Sequence, residues 1–276
     1  MSGQDLAWLD GALVEAGAAR LSLHDRGFLL GDGAFETMRF EDGAIRRRNR
    51  HQARLAGALN WLEIAAPDFG AVEAGAEALT NRLGLERAVL RLTVSRGAHG
   101  GGLDAPSGGA GTVLLTARPL PEPPGALRLA RVETARRAGL ASERYKLTQY
   151  AEPLAARRAA RRAGADWGLM VSAVDGSVVC ADCANLFAVV DGALVTPPVS
   201  AGALPGTARA ALLEAAAGRV EIREQPISPA ALARAEAVAV SNAVIGVGAA
   251  VGLDGRALDP DHALVRALAE LERGAA

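Results

Sequence analysis

The sequence predicts an α+β chain built as two domains. Three observations carry that reading. Asp-Gly pairs at Asp10, Asp42, Asp175, Asp191 and Asp254 stand mostly between short apolar runs, the pattern of tight hairpins. Longer stretches with helical spacing of apolar residues lie between them. A proline-rich stretch, PLPEPPG at 119–125, interrupts both patterns.

The clearest hairpins are AWL-DG-ALV near the start and FAVV-DG-ALV near residue 190. The helix-like segments are 50–62, 72–83, 151–163, 207–217 and 262–273. Hairpins mixed with helices, without a regular strand-helix-strand alternation, point to α+β and away from a wound parallel sheet. Four prolines among the seven residues of 119–125 make a stiff, extended linker. The expected domains are therefore 1–118 and 126–276, joined by 119–125.

Half of the 276 residues are apolar, enough for a sizeable core in each domain. The net charge of −1 argues against a nucleic-acid partner. Residues 237–253 form the longest apolar run, but Ser241, Asn242 and three glycines break it. It is short for a membrane span and reads as buried strands. No leader with a basic start and an apolar middle is visible, and two cysteines suit a reducing compartment. A cytoplasmic protein with no membrane partner is the expectation. Arg157, Arg158, Arg161 and Arg162 form one helical stripe, a solvated face or a subunit contact.

Of the 30 cations, 29 are Arg and one is Lys, Lys146 in RYKLTQY. It is either an ordinary surface lysine or the one side-chain amine available for Schiff-base chemistry. LPGTAR, from Leu204, opens the 207–217 helix. It is either a plain cap or a helix start whose free N–H groups and dipole suit phosphate. Cys180 and Cys183 form a C-x-x-C, but between strand-like runs, which does not suit a dithiol redox site. The four histidines have no metal-like spacing, so no metal is expected. The GAHGGG loop at 97–102 does not lead into a helix as a dinucleotide-binding loop would.

Taken together, these segments resemble the class IV aminotransferases, the fold-type-IV enzymes that use pyridoxal 5′-phosphate. HDRGFLLGDGAFETMRF at His24 resembles their N-terminal signature. His51, Arg54 and Leu55 follow as H-x-x-R-L, then Lys146, CANLFAVV, VTPPVSAGALPGTAR and SNAVIGV. The order and spacing agree over residues 8–255. The resemblance implies a smaller N-terminal α/β domain, a larger C-terminal domain around a barrel-like sheet, and a site between domains. It implies a homodimer, a small-molecule amino donor and a 2-oxo acid acceptor.

It also implies roles. Lys146 forms the internal aldimine and later moves the proton. Arg54 binds the cofactor phosphate, together with the backbone at Gly206, Thr207 and Ala208. Leu204 packs on the pyridine ring, and Ser241 and Asn242 lie near phosphate and substrate. Tyr150 reaches the phenolic oxygen. Phe35, Arg96 and Gly101 line the substrate pocket.

Three departures stand out. The glutamate that the family pairs with the pyridine nitrogen is Cys180 here, with Asp182 two residues on as the alternative carboxylate. The Arg and His with which D-amino-acid aminotransferases trap a carboxylate are replaced by Gly101 and Leu103. Ala208 stands where the family often has a phosphate-binding Thr, beside Thr207. The leading expectation is an aminotransferase. The alternatives are 4-amino-4-deoxychorismate lyase, which SNAVIGV and CANLF resemble, and a cofactor-binding relative with little turnover.

Overall fold

The computed structural model describes residues 5–99, 102–105, 108 and 111–275. It divides into two units, Met1–Pro121 with Tyr145–Gln149, and Glu122–Arg144 with Tyr150–Ala276. The division falls inside the proline-rich stretch, and a short segment around Lys146 returns to the first unit.

In the first unit the strands are β1 (Leu6–Leu9), β2 (Ala12–Glu15), β3 (Gly33–Glu41), β4 (Ala44–Ile45), β5 (Ala88–Ser95) and β6 (Thr112–Pro119). They form one antiparallel sheet in the order β2-β1-β6-β5-β3-β4. Its helices are α1 (Arg26–Leu30), α2 (Arg48–Leu62) and α3 (Phe69–Leu83). Alternation along β3 sends Ala34, Met38 and Phe40 to one face, where they join Leu55 and Leu59 of α2 and Val72 and Leu79 of α3 in a single core. Glu36 is in phase with those residues and is fully buried among them. Phe35 points to the other face.

The second unit contains β7 (Leu127–Arg136), β8 (Trp167–Ser172), β9 (Val178–Ala181), β10 (Ala184–Val190), β11 (Ala193–Thr196), β12 (Ile222–Glu224), β13 (Ala237–Asn242), β14 (Gly246–Leu253) and β15 (Arg256–Ala257). Its helices are α4 (Ala151–Arg162), α5 (Thr207–Ala216), α6 (Pro229–Ala233) and α7 (Ala263–Gly274). Strands β10, β13, β14, β7, β8 and β9 pair in that order, and β9 pairs back to β10, so six strands close a barrel. The interior holds Leu129, Leu169, Leu186 and Val240. Phe187, Val189, Ala237 and Ala239 face outward, under Leu212 of α5 and Leu268 of α7. Helix α4 joins the parallel pair β7 and β8. Gly168 lets it pack close, because a Cβ there would come within 2.7 Å of the Ala156 carbonyl.

Four Asp-Gly pairs are two-residue hairpin turns with both residues at positive φ: Asp10 at 47°, Asp42 at 52°, Asp191 at 50° and Asp254 at 50°. That is the conformation this dipeptide favours. Asp175 behaves differently. Its carboxylate accepts from the Ser177 amide and hydroxyl within a longer turn. The 237–253 run is two strands, β13 and β14. Among the described residues no helix is long and apolar enough to cross a membrane.

Candidate active site

The first unit holds Lys146. Its segment lies along β3: the Phe35 amide donates to the Lys146 carbonyl at 2.9 Å, and the Thr148 amide donates to the Gly33 carbonyl at 2.9 Å. Leu147 bridges to Ala34. The backbone around the lysine is therefore fixed by β3, which pairs with β5 along almost its whole length. Lys146 is half-buried, and its Nζ lies 4.4 Å from the centre of the Phe35 ring. Arg91 covers the same ring at 3.8 Å.

Arg54 sits on α2, three residues after His51, so both face β3. Arg54 Nε donates to Glu36 Oε1 at 2.7 Å and its Nη2 to Oε2 at 2.6 Å. His51 Nδ1 meets Glu36 Oε2 at 2.7 Å. Burial alone would raise the Glu36 pKa, but the charge and hydrogen bonds of Arg54, helped by His51, outweigh it and hold it at about 2. Burial lowers the pKa of His51, against the pull of Glu36. The guanidinium expected to bind phosphate is thus aimed by a buried carboxylate. The resemblance gave no role to Glu36. Its signal is a charged residue in phase with the inward apolar residues of a strand.

Arg96, expected to line the substrate pocket, is engaged by the protein itself. Its Nε donates to Asp32 Oδ2 at 2.7 Å, its Nη1 donates to the Glu63 carbonyl at 3.2 Å, and its Nη2 donates to the Leu62 carbonyl. The side chain is 9% exposed and anchors backbone. Gly101 lies outside the described residues.

The second unit holds the remaining candidates. Helix α5 starts at Thr207 after Gly206, and no side chain caps it. Its first N–H groups have no intrahelical partner, and the dipole makes this end attractive to an anion. Asn185 shapes the approach. Its Nδ2 donates to the Leu204 carbonyl at 2.9 Å, and its Oδ1 would lie 1.9 Å from a Cβ at position 206, so only glycine fits. Asn185 pairs with Ser241 across β10 and β13, so both project from the barrel's outer face. Ser241 is fully buried, and its hydroxyl has no partner among the described residues. Ala208 is buried beside Thr207, and Leu204 is half-buried. Sequence reasoning did not single out Asn185 as a structural strut, although N-L-F marks its position.

Asn242 is engaged locally. Its Oδ1 accepts from the Val244 and Ile245 amides, closing the β13–β14 turn. Tyr150 precedes α4 as its N-cap residue, without a side-chain cap bond.

Cys180 is buried in β9 and paired in register with Asn185. Burial pushes its pKa up to about 11, Arg136 pulls against this, and Glu143 and Asp182 add to it. The thiol is neutral at physiological pH. Asp182 is not an alternative on the same strand, because β9 ends at Ala181. Its carboxylate accepts from Arg157 Nε at 2.8 Å, Arg157 Nη2 at 2.6 Å and the Gly168 amide at 2.9 Å. Arg157 therefore leaves the expected solvated stripe and ties α4 to the β9–β10 turn. Neither Cys180 nor Cys183 forms a disulfide.

The family model described as amino-transferase class IV matches residues 33–251. A Methanocaldococcus jannaschii protein, provisionally named a branched-chain-amino-acid aminotransferase, is 29% identical over 257 residues, covering 91% of this chain and 89% of its own. A Mycobacterium tuberculosis protein named bifunctional aminodeoxychorismate lyase / D-amino acid transaminase is 30% identical over 237 residues, covering 75% of this chain and 76% of its own. The Escherichia coli branched-chain amino acid aminotransferase structure superposes with a TM-score of 0.89 at 23% identity, covering 98% of this chain and 94% of that one. That likeness establishes the fold as the one its sequence resembled, fold type IV. With the family model spanning most of its length, the chain belongs to the class IV aminotransferases.

Proposed function

We propose that the chain is a pyridoxal 5′-phosphate-dependent aminotransferase moving an amino group from an amino acid or amine to a 2-oxo acid. The observation that carries this reading is Lys146, the one lysine of the chain, half-buried and with its backbone locked to β3. The second unit, taken by itself, carries donors that suit a phosphate: a helix start with no side-chain cap, a glycine that admits no Cβ, and a buried hydroxyl without a partner among the described residues.

In this reading Gly206, Thr207, Ala208, Ser241 and Arg54 hold the phosphate, with Glu36 and His51 aiming Arg54. Leu204 would lie against the ring and Tyr150 would serve its phenolic oxygen. When bound, the cofactor supplies an aldehyde for the amine and a ring that accepts electrons from the substrate's Cα. Lys146 Nζ would be the amine that holds the cofactor's aldehyde end and the group that moves the substrate's proton. Phe35 orients Nζ. Asn242 supports the turn beside Ser241. If Cys180 faces the ring nitrogen, a neutral thiol stands where a carboxylate would keep that nitrogen protonated. The ring is then a weaker electron sink, and Cys180→Glu shifts the pH dependence of the cofactor's absorbance.

Reconstitution with the cofactor, borohydride reduction and peptide mapping test the proposal. The reduced label is expected on Lys146, and a protein that takes up no cofactor overturns the reading. Branched-chain amino acids are the first donors to try, given the Methanocaldococcus relative's name. Conversion of the absorbance band by a donor is the expected half-reaction. Failure of every donor, with 4-aminobenzoate and pyruvate released from aminodeoxychorismate, would transfer the proposal to the lyase. If neither reaction is seen, the reading becomes a cofactor-binding relative with little turnover.

The partner we propose is a second copy. Leu23 and Phe28 are 82% and 76% exposed, beside exposed Leu29, an apolar patch suited to a subunit contact. Phe28→Glu is expected to shift sedimentation toward a monomer. Two free thiols suit the reducing cytoplasm.

A further inference from the structure

Helix α1 is one turn long, yet its first residue, Arg26, is 5% exposed. The Arg26 amide donates to the Gly97 carbonyl at 3.0 Å, at the start of the loop after β5. Its Nη1 donates to the Gly102 carbonyl at 2.8 Å and its Nη2 to the Leu103 carbonyl at 3.1 Å, further along the same loop. Its Nε donates to Asp32 Oδ2 at 2.9 Å. The same oxygen accepts from Arg96, which reaches on to the end of α2. Burial would raise the Asp32 pKa, but the bonds and charges of Arg96 and Arg26 lower it, so the carboxylate stays ionised between the two guanidiniums.

The carbonyls of an exposed loop are ordinarily satisfied by water. Here a planar fork with fixed donor directions takes two of them, which sets orientation as well as position. The loop also starts close to the lysine. Ser95, the last residue of β5, pairs with Gly33 on one side of β3. Thr148, two residues after Lys146, bonds to Gly33 on the other side. One strand separates the root of the loop from the Lys146 segment.

We propose that Arg26 and Asp32 are positioning residues for the substrate. They hold the loop at 102–104 in one pose and thereby set how well the amino donor binds. This rests on the aminotransferase reading. Neither residue touches the donor. Their effect passes through the loop.

The test uses the full, cofactor-loaded chain. Arg26→Gln removes the fork, and Arg26→Lys keeps the charge with a single donor group. Thermolysin cleavage at Leu103 is expected to speed up about tenfold in Arg26→Gln, as the held arm is released. Donor KM is expected to rise about tenfold while kcat stays within about threefold, with Arg26→Lys between. The absorbance band and its reductive fixing on Lys146 should not change. Unchanged cleavage, or a fall in kcat with KM constant, would overturn the proposal. If Arg26→Gln does not fold, Arg26→Lys and Asp32→Asn give the same readings. Failure of the aminotransferase reading looks different: the unmodified protein would then show no band at all.

Discussion

The candidate site residues of the two units differ in how their polar groups are satisfied. In the first, the buried charges already have partners: Glu36 holds Arg54 and His51, and Asp32 holds Arg26 and Arg96. The second also has a partnered buried charge, Asp182 with Arg157, but it adds neutral groups at the candidate phosphate site. Ser241 has a buried hydroxyl without a partner among the described residues, no side chain caps the start of α5, and the Cys180 thiol is neutral. Partnered charges fix geometry in advance. Open buried donors lower stability until a ligand satisfies them. Stability effects should therefore concentrate in the first unit and ligand effects in the second.

Glu36→Ala should give the largest effect. It strands a guanidinium and an imidazole in the core and should cost about 3–5 kcal/mol in urea unfolding. A loss below about 1 kcal/mol would break the contrast from the first side.

Gly206→Ala comes next. The new Cβ would meet Asn185 Oδ1, so cofactor affinity measured by titration should fall about 10- to 100-fold. Adding Asn185→Ala should restore part of it by removing the obstacle. Full affinity in the single variant would show that this helix start holds no phosphate.

Acid should act on the first unit. Glu36 is held at about 2 against 4.5 for a free side chain, and His51 lies below its free value of 6.5. Both folded values are depressed, so the unfolded chain gains protons first as pH falls. Stability should decline below pH 6.5 through the histidine, and again between 4.5 and 2 through Glu36. A Glu36→Gln, His51→Gln chain should lose that slope. A slope that survives would place the acid-sensitive groups elsewhere.

Ser241→Ala should be the smallest and the most discriminating. Without cofactor it should be neutral or stabilising by up to about 1 kcal/mol, because a buried hydroxyl without a partner is removed. With cofactor, affinity should fall several-fold. Equal changes with and without cofactor would mean that the hydroxyl is not a ligand donor.

Much of the fold was legible because its signals are local. Asp-Gly favours a turn with two positive φ values, and four of the chain's six pairs adopt it, Asp32-Gly33 and Asp175-Gly176 being the exceptions. Helices α2 to α5 and α7 follow their apolar spacing. Helices α1 and α6 were not anticipated. Each is five residues long, too short for a period, and the caps at Asp25 and Ser228 were their main signals. The site was legible where motif residues act through backbone, as at Gly206. It was not legible where a side chain's role depends on a distant partner. Asp182 looks like a neighbour of Cys180 along the chain, but its partner is Arg157 on α4. Arg96 likewise has partners that its sequence position does not reveal, Asp32 and the carbonyls at the end of α2. Lys146 follows the linker in sequence, yet pairing with β3 places it in the first unit.

Lys146 is also an address. A protease specific for lysyl bonds has one place to cut this chain, between Lys146 and Leu147. That bond lies in a segment held on β3, so the native form should resist cleavage, and the cutting rate would report how often the segment releases. The same exclusivity governs tagging. Acylation, ubiquitin-like conjugation or resin coupling at a lysine side chain can reach only the residue proposed to do the chemistry. Immobilisation that preserves function would have to go through the α-amino group or a thiol.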